Sequence, residues 1–204
     1  MKVLRRKFNS CRVETFVFAI LLFAMFFGCA VPFETAQTLE SGQGELLLGY
    51  SSIANLTFKG RFGITGNTDL GFGIDLPLVN TYLSAKQKLF SSGGNPSFDF
   101  FLSGAYGLVS DTDIPYYHCT LLAGISDKSG ECVTFGLGIL QDPRYTFNLF
   151  GSPLYSRETY CHALFGVSRD KVVTQFQIIY DPHDTREKFK ISVGLGIRSI
   201  QFLE

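Results

Sequence analysis

From residue 43 almost to its end, the chain alternates apolar and polar residues with a period of two. Such alternation places successive side chains on opposite faces of β-strands. In LTFKGRFGITGNTDLGFGIDL (56–76), Leu56, Phe58, Phe62, Ile64, Leu70, Phe72, Ile74 and Leu76 share one face, with Gly60 among them. The other face carries Thr57, Lys59, Arg61, Gly63, Asp69, Gly71, Gly73 and Asp75. The pattern recurs in SFDFFLSGAYGLV, in CVTFGLGIL and in FKISVGLGIR. Ten candidate strands result, at about 43–51, 56–65, 69–76, 80–90, 97–109, 115–126, 131–141, 158–168, 171–181 and 187–200. No stretch among them has helical periodicity.

Two architectures generate this alternation. A soluble sandwich or barrel turns the apolar face inward, whereas a transmembrane barrel turns it to lipid. The polar face here is rich in Gly, Ser and Thr with isolated charges, as suits a narrow lumen; a solvated sheet face carries more Lys and Glu. Connection lengths agree. In a barrel that begins and ends in the periplasm, the even-numbered connections are short. Here they are GNT, SSGGNP, DKSG and RD, while the longest, DPRYTFNLFGSPLYSR (142–157), is the seventh. The expected fold is therefore all-β: an antiparallel up-and-down transmembrane β-barrel of about ten strands (8–12), occupying residues 43–204. The formal net charge is zero, so nothing directs the chain to nucleic acid.

The N-terminus supplies an address. Lys2, Arg5, Arg6, Lys7 and Arg12 precede an uncharged apolar run from Thr15 to Phe27. That run is shorter than the ~20 residues a spanning helix needs, and its layout is that of a cleaved secretory signal, residues 1–28. Gly28-Cys29-Ala30 resembles a lipobox, with Cys29 as the lipidated residue, although Phe26 and Phe27 depart from the usual pattern. Residues 29–42 lack periodicity and read as a periplasmic linker. Of the five cysteines, Cys11 lies in the signal; Cys119 and Cys161 sit at apolar parities and are expected to be buried as small hydrophobes, with Cys132 at a polar one.

TAQTLESGQGELLLGY, KGRFGITGNTDLGFGI and YLSAKQKLF together resemble the opening of a group of small bacterial outer-membrane β-barrel proteins, often predicted lipoproteins. The shared elements are a TA-TL-x-x-G start and an R-x-G-x-T-x-x-x-D-L-G hairpin, covering roughly residues 35–90. The resemblance implies an outer-membrane barrel in a group largely without assigned activity. Such barrels commonly finish on an aromatic residue; here Leu203 and Glu204 follow Phe202. Parity also slips near Arg198, as a β-bulge would make it.

Facing inward, Lys59, Arg61 and Asp75 are expected to form lumen charge pairs, Asp75 opposing Lys59 or Arg61 across a three-residue hairpin loop. The long connection 142–157 is the expected surface-loop binding region, through Arg144, Tyr145, Phe147, Phe150, Tyr155 and Arg157; the same aromatics also fit strand extensions in an interfacial girdle. No catalytic motif, metal spacing or cofactor site is found. Cys161 and His162 are adjacent and so point to opposite faces, His118 is a lumen residue, and His183 lies in a turn. Three classes of function remain open: a structural, adhesive or binding outer-membrane barrel, a soluble secreted barrel holding an apolar ligand, and a lipid-modifying barrel enzyme. The partners expected are outer-membrane lipid, the barrel-assembly machinery during biogenesis, and an external partner of unspecified kind. If Cys29 is acylated, metabolic labelling with a fatty acid marks the wild type and not Cys29→Ala; equal labelling of both would refute the site.

Overall fold

The computed structural model describes residues 34–201, apart from 52–54, 77–79, 110–114, 147–153, 170 and 187. The expected signal at 1–28 and Cys29 lie outside the described residues. Ten strands follow in order: β1 (Gln43–Ser51), β2 (Asn55–Thr65), β3 (Thr68–Leu76), β4 (Asn80–Ser91), β5 (Ser97–Val109), β6 (Pro115–Ser126), β7 (Cys132–Thr146), β8 (Leu154–Arg169), β9 (Val172–Tyr180) and β10 (Phe189–Gln201). Each pairs antiparallel with its sequence neighbours, and β10 pairs with β1, closing the barrel. Among the described strands closure leaves no unpaired sheet edge.

The turns β2–β3, β4–β5, β6–β7 and β8–β9 gather at the end where β1 begins and β10 finishes. Their chemistry is local. In the β6–β7 turn, Asp127 accepts hydrogen bonds from the Ser129 hydroxyl and from the backbone N–H groups of Ser129 and Glu131. Those bonds, the Ser129 hydroxyl foremost, hold its carboxyl below the usual range. Gly130 supplies the positive φ (84°) the turn requires. At the other end, Asp181 organises the start of the β9–β10 connection by accepting the N–H groups of His183 and Asp184 and the Lys190 ammonium (2.7 Å). Burial raises the Asp181 carboxyl, but Lys190 and the two N–H groups outweigh it and leave the pKa lowered.

Side-chain parity is maintained around the barrel. Leu46, Phe58, Phe72, Leu83, Phe100, Leu121, Leu137, Phe165, Ile178 and Leu195 point outward and are exposed. Lys59, Arg61, Asp69, Asp75, Lys86, Thr120, His162 and Gln177 point inward and are buried. Apolar and aromatic side chains fill part of the interior. Tyr82, Ala105, Tyr116, Leu140, Tyr160 and Ile179 form one cluster, in which the rings of Tyr82 and Tyr116 lie 5.0 Å apart. Ala36, Phe101, Leu122 and Leu164 form another, nearer the short turns.

Several expectations are corrected. The β2–β3 register pairs Gly63 with Asp69 and Thr65 with Thr68, so the loop has two residues, Gly66 and Asn67, and Ile64 is the bulged residue. Asp75 consequently lies opposite Thr57, not Lys59 or Arg61. Cys119 and Cys161 are exposed on the exterior because the apolar parity faces outward; Cys132, on the polar parity, is the buried one. Strands β7 and β8 run well past the expected ends and pair Pro143 with Arg157, Arg144 with Ser156 and Tyr145 with Tyr155. These residues therefore belong to an extended hairpin. The connection shrinks to 147–153, and Phe147 and Phe150 lie outside the described residues. The bulge anticipated near Arg198 is present, since Gly44 pairs with Ile200 while Glu45 pairs with Arg198.

Candidate functional site: a lumen gripping the N-terminal segment

Of residues 34–42, expected to belong to a linker, residues 34–39 are packed inside the barrel. Ahead of β1 the chain lies in the lumen, reverses through a turn in which Gln43 N–H donates to the Glu40 carbonyl (3.0 Å), and then climbs the wall as β1. Gly42 takes φ 83° in that turn and donates its N–H to Gly63 O. Glu34, Thr35, Ala36 and Leu39 are buried, whereas Glu40 is exposed at the short-turn end.

The wall holds this segment in two ways. Its side chains satisfy the backbone of a segment that belongs to no strand. Gln175 accepts the Glu34 N–H (2.9 Å), Thr134 accepts that of Ala36 (2.9 Å), and Asp69 accepts that of Leu39 (3.0 Å). The Lys86 ammonium donates to the carbonyls of Thr35 (3.0 Å) and Gln37. Each would otherwise be a buried polar group without a partner, at a cost of about 1–3 kcal/mol.

The wall also reads the segment's side chains. The Glu34 carboxylate pairs with Lys59, receives Arg61 Nη1 at 3.3 Å and lies 3.7 Å from His118 Nε2. The Thr35 hydroxyl accepts Arg61 Nη2 (2.8 Å) and Arg198 Nη2 (3.0 Å). Arg61 also pairs with Glu45, Arg198 with Glu45 (3.1 Å), and Lys86 with Asp69 (2.8 Å). Ala36 lies against Gly124: a Cβ there would stand 2.6 Å from Ala36 O and 2.7 Å from Ala36 Cβ. At Gly63 a Cβ would collide with the carbonyls of Leu39 and Glu40. Both glycines leave the room the segment occupies.

Of the predicted lumen charges, Lys59 and Arg61 are brought together, by Glu34 rather than by Asp75. Sequence reasoning missed Glu34, Thr35, Glu45 and Lys86 as members of one cluster. A signal existed: Lys59, Arg61, Lys86 and Arg198 share the inward parity, and a buried cation requires a carboxylate within reach.

Among the described residues, other lumen polar groups come within contact of one another. The Thr120 hydroxyl lies 3.0 Å from His162 Nε2, the arrangement of a nucleophile and its base. Its Nδ1, however, is buried with no hydrogen-bond partner, so no carboxylate orients the ring. Tyr116 Oη lies 3.3 Å from His118 Nδ1. Cys161 faces out while His162 faces in, and His183 is exposed in its turn. Among the described residues no group of three or more His, Cys, Asp or Glu side chains is arranged to hold a metal ion. No protein-family model matches the chain, and comparison with curated proteins finds no match.

Gly124→Val is expected to leave the barrel closed while displacing the segment, so that endoproteinase Glu-C cleaves after Glu34 in the variant far faster than in the wild type. Equal protection would show that the clearance at Gly124 is not needed. Glu34→Ala, which strands Lys59 beside Arg61, should cost about 3–5 kcal/mol in denaturant unfolding.

Proposed function

We propose that this chain is an outer-membrane β-barrel of structural or binding type whose lumen is closed by its own N-terminal segment. The observation that carries this reading is the distribution of side chains. Leu83, Leu137 and Phe189 are 73%, 68% and 69% exposed, while Lys59, Arg61 and Lys86 are 1–2% exposed. A soluble barrel would have to keep that apolar exterior in water, where contiguous patches beyond a few hundred Å² drive association. A bilayer gives the same exterior a matching solvent, and a closed barrel meets the requirement that every spanning backbone group be paired.

The outer membrane is the bilayer in which such barrels reside, and the basic, apolar leader expected at 1–28 would deliver the chain there. Acylation at Cys29 would add a second attachment. The lumen argues for a closed scaffold over a diffusion pore, because side chains and residues 34–39 occupy it. Recognition of an external partner would fall to the end opposite the short turns, where the β7–β8 hairpin with Arg144, Tyr145, Tyr155 and Arg157 and the Asp181–Lys190 region lie.

Cell fractionation should recover the protein in the carbonate-resistant membrane fraction, with a folded form that shifts on heating before electrophoresis. Leu137→Arg should destabilise the barrel in liposomes by about 2–4 kcal/mol, as a cation does at mid-bilayer. On the exterior of a soluble barrel the same change would be near neutral, and that result would overturn the membrane reading. In planar bilayers the wild type should give no large, steady single-channel steps.

A further inference from the structure

Residues 34–39 are held in the way a binding groove holds a peptide. Recognition grooves take affinity from hydrogen bonds to the ligand backbone and specificity from pockets for its side chains. Both parts are built here into the wall. Gln175, Thr134, Asp69 and Lys86 meet the backbone at successive positions. Lys59, Arg61 and His118 select a carboxylate at the first position. Arg61 and Arg198 select a hydroxyl at the second, and the clearance above Gly124 admits only a small side chain at the third. No strand ladder joins this segment to the wall, so barrel closure does not depend on its pairing.

The charges require the carboxylate. Among the described residues, this group of cations, Lys59, Arg61, Lys86 and Arg198, is paired with the wall acids Glu45 and Asp69, and Glu34 supplies a third acid. Without it the seat is a desolvated cationic pocket, the environment in which a charge-assisted bond to a carboxylate is strongest.

We propose that the lumen is a peptide-recognition channel for extended chains of the pattern Glu-Thr-Ala-x-x-Leu. The protein's own residues 34–39 occupy it in cis, and a peptide of the same chemistry binds it in trans when that segment is weakened. This site does not rest on the membrane reading, since it concerns the inside of the barrel alone.

Cys132 provides a native reporter. Its thiol is buried beside Ala36, with Sγ 3.5 Å from the Ala36 carbonyl, so a seated segment shields it. The experiment uses the full chain in detergent micelles, a water-soluble maleimide, and mass spectrometry to score Cys132 apart from Cys119 and Cys161. Wild-type Cys132 should be protected, and Glu34→Gln should raise its labelling rate at least tenfold. The synthetic peptide ETAQTLES should then restore protection saturably, with QTAQTLES needing at least tenfold more. Ala36→Arg, which spoils the segment and leaves every wall residue intact, should behave as Glu34→Gln does and serves if that variant does not fold. Continued protection of Cys132 in a folded variant would overturn the proposal. So would equal potency of the two peptides, or failure of both to protect.

Discussion

The interior of this barrel is organised around one cluster of buried charge near the short-turn end. Four cations, Lys59, Arg61, Lys86 and Arg198, are turned inward near one level, and the wall answers them there with Glu45 and Asp69. Burying an uncompensated ammonium or guanidinium costs several kcal/mol even after relaxation. A third carboxylate comes from outside the sheet, at Glu34. Once Glu34 must reach Lys59 and Arg61, the chain ahead of β1 has to enter the lumen, turn near Gly42 and present its backbone to the wall. The hydrogen bonds of Gln175, Thr134, Asp69 and Lys86 follow from that path.

The same cluster sits across the barrel's closing seam. Arg198 belongs to β10, Glu45 to β1 and Arg61 to β2. Glu45 binds both arginines, and the Thr35 hydroxyl accepts from both as well. The seam also carries the β-bulge between Gly44 and Glu45. A bulge increases local twist and leaves a residue out of the ladder, so a polar tie across three strands stands where the backbone pairing is interrupted. Segment and seam thereby support one another: the seam aligns Arg61 and Arg198, and Thr35 bridges them.

Glycine makes the arrangement sterically possible. Gly in a strand interior weakens it and often marks a close approach, and Gly63 and Gly124 mark where the segment lies against the wall. Elsewhere glycine makes room for the wall's own side chains: a Cβ at Gly73 would collide with the Tyr82 ring, and one at Gly71 would stand 2.7 Å from the Ser84 hydroxyl. The small-residue face that signals a narrow lumen is thus a set of seats, each for a particular neighbour.

That distinction explains what was legible in the chain. Strand positions and the polar parity of Lys59, Arg61 and His118 follow from period-two alternation, which is a property of each strand taken alone, while a barrel of about ten strands with that parity inside rests also on the small residues of the polar face and on the connection lengths. Register is a relation between strands. It depends on turn geometry, so the two-residue turn at Gly66 and Asn67 together with the bulge at Ile64 sets Asp75 opposite Thr57, away from Lys59 and Arg61. The burial expected for Cys119 and Cys161 failed because apolar parity predicts a face and not an inside. Residues 34–42 were hardest to read. They have no period, because lumen side chains rather than a strand partner satisfy their backbone. Yet the start that stood out as a pattern, Thr35, Ala36, Thr38, Leu39 and Gly42, consists of residues with assigned contacts or geometry. Thr35 meets Arg61 and Arg198, Ala36 meets Thr134 and Cys132, Thr38 donates to Gly66 O, Leu39 meets Asp69, and Gly42 takes the positive φ of the turn. A segment that must fit a preformed wall residue by residue carries its constraint as a motif, since each position answers to a different partner and none to its neighbour in the chain.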